Sequence, residues 1–208
     1  MGPTRSKVTT SNVASGCDIT DEESCRPPRA DAVRNRARVL EAAEAVFAAE
    51  GIAAPVDAIA EKAGVGVGTV YRHFPTKEKL FEAIIVRRIE EIEREAHRHL
   101  HADDPGAAFF SFLEHVVAEA ELKRDLIAAL MAAGVEMDEE SVACKRRLED
   151  AVGHLLAAAQ HAGAVRADVT TPVVLSLVSA SCMVNTTQHP GVEPMDVLHI
   201  VCDGLRPS

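Results

Sequence analysis

The chain has 208 residues, enough for one large domain or a small domain joined to a larger one. Hydrophobic residues make up 47% of it and aromatic residues only 3%, which favours helix over strand and predicts an all-α protein. A net charge of −10 argues against a general nucleic-acid binder, and the longest apolar stretches, residues 127–135 and 173–184, are too short to cross a bilayer.

The first 28 residues are rich in Ser, Thr, Pro and Gly and lack an apolar period, so they are expected to form a disordered arm. Order is predicted to begin near Asp31. From there, apolar residues recur at helical spacing until Gly51, which ends the first helix. The residues expected to face the core are Val33, Ala37, Leu40, Ala43 and Phe47.

Two short helices follow, and then a long one. Pro55 suits the first turn of a second helix over residues 56–63, which Gly64 ends. A third helix is predicted over residues 67–73, and Pro75 closes it. Thr76 then caps a fourth helix that is expected to run to about Leu100.

Residues 103–106 (Asp-Asp-Pro-Gly) make the next break. Beyond it, amphipathic segments predict helices over about 107–122, 124–133, 139–162, 171–187 and 194–205. The expected organisation is an N-terminal arm (1–28), a three-helix domain (29–75), a connecting helix (76–102) and a C-terminal helical domain (103–208).

The second and third helices have the arrangement of a helix-turn-helix, in which the second helix enters the DNA major groove. If Val67, Val70 and Phe74 face the core, the opposite face of the third helix is compact and polar. The charge distribution agrees, because residues 26–88 carry 11 Lys and Arg against 8 Asp and Glu, whereas residues 89–208 carry 9 against 20. Only the N-terminal part is therefore expected to approach phosphates.

Two runs resemble the TetR family of regulators. R-x-R-V-L-E-A-A-E-A-V-F-A-A-E-G, from Arg36 to Gly51, is similar to the family's first helix. I-A-E-K-A-G-V-G-V-G-T-V-Y-R-H-F-P-T-K-E-K-L-F, from Ile59 to Phe81, is similar to its helix-turn-helix and the start of its fourth helix. The resemblance implies a DNA-binding transcriptional regulator, most often a homodimeric repressor that a small molecule releases from a near-palindromic operator.

The resemblance also implies which residues bind double-stranded DNA. In the family, the positions of Tyr71 and Lys77 contact phosphates, and Phe74 anchors the third helix to the core. Gly66 stands where the family usually has Ser or Thr, and Pro55 stands where it usually has Thr. The predicted DNA-binding residues are Arg34, Gly66, Val67, Gly68, Thr69, Tyr71, Arg72, His73 and Lys77. For Arg34 and His73, an ordinary solvated surface role is the alternative.

The family's C-terminal helices enclose an apolar pocket for the effector. Half of all the Phe residues lie between residues 109 and 112, and methionines add adaptable surface. The candidate ligand-binding residues are Phe109, Phe110, Leu113, Met131 and Met183. Ordinary helix-bundle core is the alternative for each of them. The last two helices are expected to pair with their copies in a homodimer.

Other functions have weaker support in the sequence. His97 and His101 share a helix face, but no cysteine or carboxylate cluster completes a metal site, so no metal or cofactor is expected. Five cysteines without paired spacing indicate free thiols in a reducing cytoplasm, and thiol or metal sensing remains the alternative for the effector half. No nucleophile–base set appears, so an enzyme is not expected.

Overall fold

The computed structural model describes residues 1–2, 28–132, 134, 138–184 and 190–207. Every regular element in these ranges is an α-helix, which confirms the all-α prediction. The predicted arm lies mostly outside the described residues, and Pro28, its last residue, begins the first helix. In chain order the helices are α1 (Pro28–Glu50), α2 (Val56–Ala63), α3 (Val67–His73), α4 (Lys77–His99), α5 (Pro105–Leu122), α6 (Arg124–Ala132), α7 (Glu139–His161), α8 (Thr171–Cys182) and α9 (Pro194–Leu205).

The first of two apolar clusters holds α1, α2 and α3 against the start of α4. Phe47, Ile59, Leu80 and Ile84 are among its fully buried side chains. The cluster is not confined to the N-terminal helices, because Leu126 and Leu130 of α6 are buried in it as well. Helices α1 to α3 correspond to the three-helix domain and α5 to α9 to the C-terminal helical domain expected from the sequence, and we refer to them by their predicted roles as the DNA-binding domain and the effector domain.

The prediction of which α1 residues face the core is wrong at the N-terminal end of the helix. Val33 and Ala37 are exposed, whereas Val39 and Leu40 are buried. Burial along the described part of α1 begins only at Val39, so the first turns of the helix lie at the surface. A helical period shows that one face is apolar, but it does not show where along the helix the rest of the protein begins to cover that face.

Helix α4 joins the two domains. Thr76 caps it, as predicted, since its Oγ1 accepts a hydrogen bond from the backbone N–H of Lys79 over 3.3 Å. The helix packs along α7 for much of its length and also contacts α1 and α5. Its first half therefore belongs to the first cluster, and Ile92 and Ala96 in its second half belong to the next.

A buried carboxylate ties the start of α4 to the start of α7. Glu82 Oε1 accepts hydrogen bonds from the backbone N–H of Asp138 over 2.7 Å and from the Ser141 hydroxyl over 2.8 Å. Its other oxygen, Oε2, accepts from Lys79 Nζ over 2.7 Å. The Lys79 hydrogen bond lowers the pKa of Glu82, with a further contribution from the Asp138 N–H, so the carboxylate is held ionised.

The second apolar cluster forms the core of the effector domain. It brings together Phe109 and Leu113 of α5, Val152 and Leu155 of α7, and Leu198 of α9. Asp104 caps α5 by accepting from Ala107 N over 3.0 Å, and Pro105 occupies the first turn. None of the helices in the described part of the chain is both long and apolar enough to cross a membrane.

Candidate nucleic-acid interface and candidate ligand cavity

The turn between α2 and α3 is closed tightly by its backbone. Gly64 ends α2 with φ +64°, a left-handed conformation that favours glycine. The N–H of Val65 donates to the carbonyl of Ala60 over 3.0 Å. A Cβ at Gly64 would lie 2.8 Å from Nη2 of Arg38, so a side chain there would displace that arginine as well as strain the backbone.

One face of α3 is turned to solvent. Val70 and Phe74 are buried in the first cluster, and Val67 is half-buried beside them. The opposite face holds the other predicted residues of α3, together with Gly66 just before the helix. Gly66, Gly68, Tyr71 and Arg72 are exposed, and Thr69 and His73 are half-buried. The surface they form is polar, nearly free of apolar bulk and narrow enough to enter a groove.

The predicted cations near this face differ in whether they already have a hydrogen-bond or ion-pair partner in the protein. Arg72 makes no hydrogen bond or ion pair with any described residue. Lys77 is turned inward, since its Nζ donates to the carbonyl of Ala54 over 2.7 Å and lies 5.5 Å from the ring centre of Phe47. Arg34 pairs with Asp31 within α1. The face therefore offers Arg72 as its available cation.

A cavity of about 480 Å³ lies between α4, α5, α6, α7 and α8. Its size falls within the range of sites for drug-sized molecules, which are usually lined by apolar side chains with a few polar groups. The described lining residues are Ile85, Arg88, Ile89, Ile92, Phe112, Leu113, Val116, Ala120, Ile127, Leu130, Gly134, Leu148, Val152, Val174, Leu175, Val178, Ser179, Cys182 and Met183.

Only some of the predicted ligand-binding residues line this cavity. Leu113 and Met183 line it. Phe109 and Phe110 do not, because they are buried on another side of α5, where Arg206 lies over the Phe110 ring at 4.3 Å. The side chain of Met131 is outside the described residues.

The contribution of α4 to the cavity was not among the predictions from the sequence. Ile85, Ile89 and Ile92 form one apolar face of that helix and line the cavity, and Arg88 lies within the same stripe. The stripe itself is typical of core. The signal that distinguishes it is the arginine, because a cation inside an apolar helical face needs either a partner or a polar opening beside it.

Ionic contacts connect Arg88 with its surroundings. Its Nη1 lies 3.0 Å from Glu91 Oε2 and 3.5 Å from Glu119 Oε2. Lys123 Nζ lies 3.5 Å from the same oxygen of Glu119. Burial alone would raise the pKa of Glu119, but Lys123 and Arg88 together lower it. The group is thus an ion-pair cluster at the cavity wall.

The described cysteines have the properties of buried thiols. Cys144 and Cys202 are buried and Cys182 is partly buried, and burial raises the pKa of all three thiols. A raised pKa lowers the thiolate fraction that redox sensing requires. No group of three or more potential metal ligands lies together among the residues that the structure describes.

A second apolar surface lies on the outside of α8 and α9. Ile200 is 74% exposed and Val173 is also exposed, while Leu177 and Val201 are only partly covered. A shallow groove of about 390 Å³ runs between the two helices. Neighbouring apolar residues exposed in this way on two packed helices are typical of a protein–protein interface.

Both parts of the chain match known protein families. Residues 39–84, which include α2 and α3, match the profile of bacterial regulatory proteins of the tetR family. Residues 104–207 match the profile of the C-terminal domain of SbtR-like transcriptional regulators.

Individual relatives agree with these profiles. The HTH-type transcriptional regulator UidR of Escherichia coli (strain K12) is 29% identical over 154 residues, which span 71% of this chain and 77% of UidR. A crystal structure of the TetR transcription regulatory protein from Mycobacterium vanbaalenii is 42% identical with a TM-score of 0.67, and the match covers 87% of this chain and 100% of that one.

The TetR transcriptional regulator SCO0520 from Streptomyces coelicolor is 30% identical with a TM-score of 0.62, over 83% of this chain and 99% of that chain. The helix-turn-helix geometry, the two profiles and these relatives show that the chain belongs to the TetR family of DNA-binding transcriptional regulators.

Proposed function

We propose that the protein is a homodimeric repressor that binds a near-palindromic operator and is released from it by an apolar small molecule. The observation that carries this proposal is that two side chains of the cavity wall also pack in the apolar cluster beneath the DNA-binding domain. Ile85 of α4 and Leu130 of α6 line the cavity, and both pack in the cluster that holds α1, α2 and α3 together. A molecule that moves either side chain also moves the base of the DNA-binding domain.

The proposed operator contacts lie on the exposed face of α3. Arg72 and Tyr71 are the exposed side chains of this face, and Gly68 lets the backbone approach the duplex. We propose that Gly66, Val67, Thr69 and His73 complete this surface. Arg34 remains a candidate phosphate contact on α1, and Lys77 contributes mainly by holding the start of α2 through Ala54.

Dimerisation is proposed to use the exposed face of α8 and α9. A two-fold dimer presents two copies of α3, which suits half-sites spaced by about 34–36 Å or a multiple of that distance. Ile200→Glu is expected to produce a monomer, because it replaces the most exposed large apolar side chain of α9 with a charged one. Leu122→Glu is the matched control, since Leu122 is an equally exposed apolar residue at the end of α5. Sedimentation equilibrium measures both; a wild-type monomer, or a dimeric Ile200→Glu variant, contradicts this assignment.

Release by the effector is a shift between two populations. The ligand favours a state whose α3 helices no longer fit successive major grooves, and DNA must weaken ligand binding by the same factor. Moving the equilibrium from 1:99 to 99:1 requires about 5.5 kcal/mol of differential affinity.

The test of the function is selection of genomic DNA fragments by the full-length protein at near-physiological salt, beginning with the region upstream of its own gene. The expected result is a short near-palindrome whose affinity falls steeply with salt, because phosphate contacts release counterions. Recovery of fragments without a common sequence would contradict operator-specific repression. Thiol sensing receives no support, because the described thiols are buried with raised pKa values.

A further inference from the structure

The polar content of the cavity wall is small and specific. Of the described lining residues, only Arg88, Ser179 and Cys182 carry a polar side chain, and Phe112 is the sole aromatic. Walls made of Ile, Leu and Val suit an aliphatic body, whereas a flat aromatic molecule would find no pair of rings to stack between. The inference that follows rests on the proposed function, in which this cavity is the effector site.

Arg88 has hydrogen-bonding capacity that the protein does not use. A guanidinium offers five N–H donors. Only Nη1 of Arg88 is engaged, with Glu91 and Glu119, and its Nε and Nη2 contact no partner among the described residues. The side chain is 12% exposed and lines the cavity, and neither nitrogen is among the fully buried unpaired polar atoms of the described residues, so water or a molecule in the cavity can reach both. A hydrogen-bond acceptor on a molecule in the cavity would satisfy them.

The charge of Arg88 is already neutralised. The linked cluster has three positive charges, from Arg87, Arg88 and Lys123, and three negative ones, from Glu44, Glu91 and Glu119, joined by contacts of 3.0 to 3.9 Å. An anionic ligand would add an uncompensated negative charge to this partly buried cluster, and a cationic ligand would add a positive one next to Arg88. A neutral acceptor changes no charge.

We propose that the effector is an uncharged, mainly aliphatic molecule with a carbonyl group, and that Arg88 donates a hydrogen bond to that carbonyl oxygen. Arg88 thereby determines specificity: it excludes pure hydrocarbons by leaving its donors unpaired and excludes charged amphiphiles through its balanced ion pairs. The apolar walls supply affinity without distinguishing among chains of similar length.

The test compares three ten-carbon probes: decan-2-one, decanoate and decylamine. Isothermal titration calorimetry on the full-length protein at neutral pH reads binding directly, which matters because the chain has no Trp to serve as a fluorescent reporter. The ketone is expected to bind at least about tenfold more tightly than either charged probe, the factor that corresponds to about 1.4 kcal/mol. Equal or tighter binding of decanoate overturns the neutral class.

Arg88→Met tests the hydrogen bond itself, since methionine keeps the aliphatic length and removes the donors. Its affinity for the ketone is expected to fall about tenfold, the usual effect of losing one hydrogen bond to a charged group. Arg94→Met is the matched control, because Arg94 is an exposed residue of α4 that does not line the cavity. Unchanged ketone affinity in a folded Arg88→Met protein overturns the role of Arg88.

Arg88→Lys covers the case in which the methionine variant fails to fold, because it retains the charge within the cluster. Lysine has a single nitrogen, which is expected to pair with Glu91 and Glu119 and leaves no separate donor like Nε or Nη2 for the ligand. The affinity of this variant for the ketone is therefore expected to fall while circular dichroism and oligomeric state stay unchanged. Unchanged affinity in this variant equally overturns the proposal. If the wild type binds none of the probes, the ligand class is wrong; operator binding by the same ligand-free samples then shows separately whether the regulator function stands.

Discussion

The DNA-binding domain and the effector domain differ in what surrounds their buried apolar side chains. Leu80 in the first cluster and Leu113 in the second are both 1% exposed. Leu80 is surrounded by core, whereas one side of Leu113 faces the 480 Å³ cavity. Solvent exposure therefore does not distinguish a residue of a filled core from one that lines a cavity. What distinguishes them is whether another side chain lies opposite.

The largest expected effect follows from that pair. Leu80→Ala is expected to lower the free energy of unfolding by about 3–5 kcal/mol, because it opens a new void in a filled core. Leu113→Ala is expected to lower it by only about 2–3 kcal/mol, since neighbouring side chains beside an existing cavity have room to move into the new void. Urea denaturation at one fixed protein concentration measures both.

Equal losses in the two leucine variants would mean that the cavity collapses around Leu113 in solution. Decan-2-one provides a second comparison. It is expected to stabilise the wild type and Leu80→Ala by the same amount, so the difference between their free energies of unfolding should stay unchanged.

The second prediction concerns the surface of the DNA-binding domain. Arg72→Ala is expected to weaken operator binding by about 1–3 kcal/mol and to reduce its salt dependence if the contact is to phosphate. Stability should remain unchanged, because Arg72 contacts no other described residue. Fluorescence anisotropy with labelled operator measures the affinity, and Arg94→Ala, on the outside of α4, serves as the control. Equal affinities for the two variants would remove Arg72 from the interface.

The third prediction separates a structural cation from a DNA-binding one. Lys77→Met is expected to destabilise the protein by about 1 kcal/mol, because the buried carbonyl of Ala54 loses its donor. Lys62→Met, which changes an exposed cation of α2, should leave stability unchanged. Thermal unfolding measures both variants. A Lys77→Met protein of normal stability with much weaker operator binding would identify Lys77 as a phosphate contact instead.

The smallest expected effect lies where the two domains meet, at Glu82. Its pKa is lowered below the ordinary 4.5 in the folded protein, so its contribution to stability is present above that value and is lost as pH falls through the folded pKa. Glu82→Gln removes this titration. Its acid unfolding curve is expected to be shallower than that of the wild type below pH 4.5. Circular dichroism measures unfolding as the pH is lowered. Identical acid unfolding curves for the wild type and Glu82→Gln would contradict this prediction.

Much of the DNA-binding domain is predictable because its signals are local. Gly64 ends α2 through a left-handed turn and Pro75 follows α3, so both short helices have the predicted bounds. The family motif then assigns α3 its function. The orientation of Lys77 was not predictable, because it depends on the position of the Ala54 carbonyl, 23 residues earlier in the chain.

The cavity was less predictable because it is a property of packing. Phe109 and Leu113 lie one helical turn apart on α5 and have the same apolar character, yet only Leu113 lines the cavity. The period of a helix indicates which face is buried, but it does not indicate whether the space opposite is filled. The five helices that enclose the cavity meet only in the tertiary structure.

The packing of helix α6 restricts how hybrid regulators can be built by exchanging domains between proteins. Although it follows the effector domain's first helix in the chain, its Leu126 and Leu130 complete the core beneath α1. Consider a hybrid in which the chain is cut after α4 and joined to the effector domain of another protein. It would lack Leu126 and Leu130, and their absence would leave a cavity in the core of the DNA-binding domain. A functional hybrid must keep α6 together with α1 to α4, or its new C-terminal part must supply two leucines at equivalent positions. The segment that has to be transferred intact is therefore larger than the helices that contact DNA.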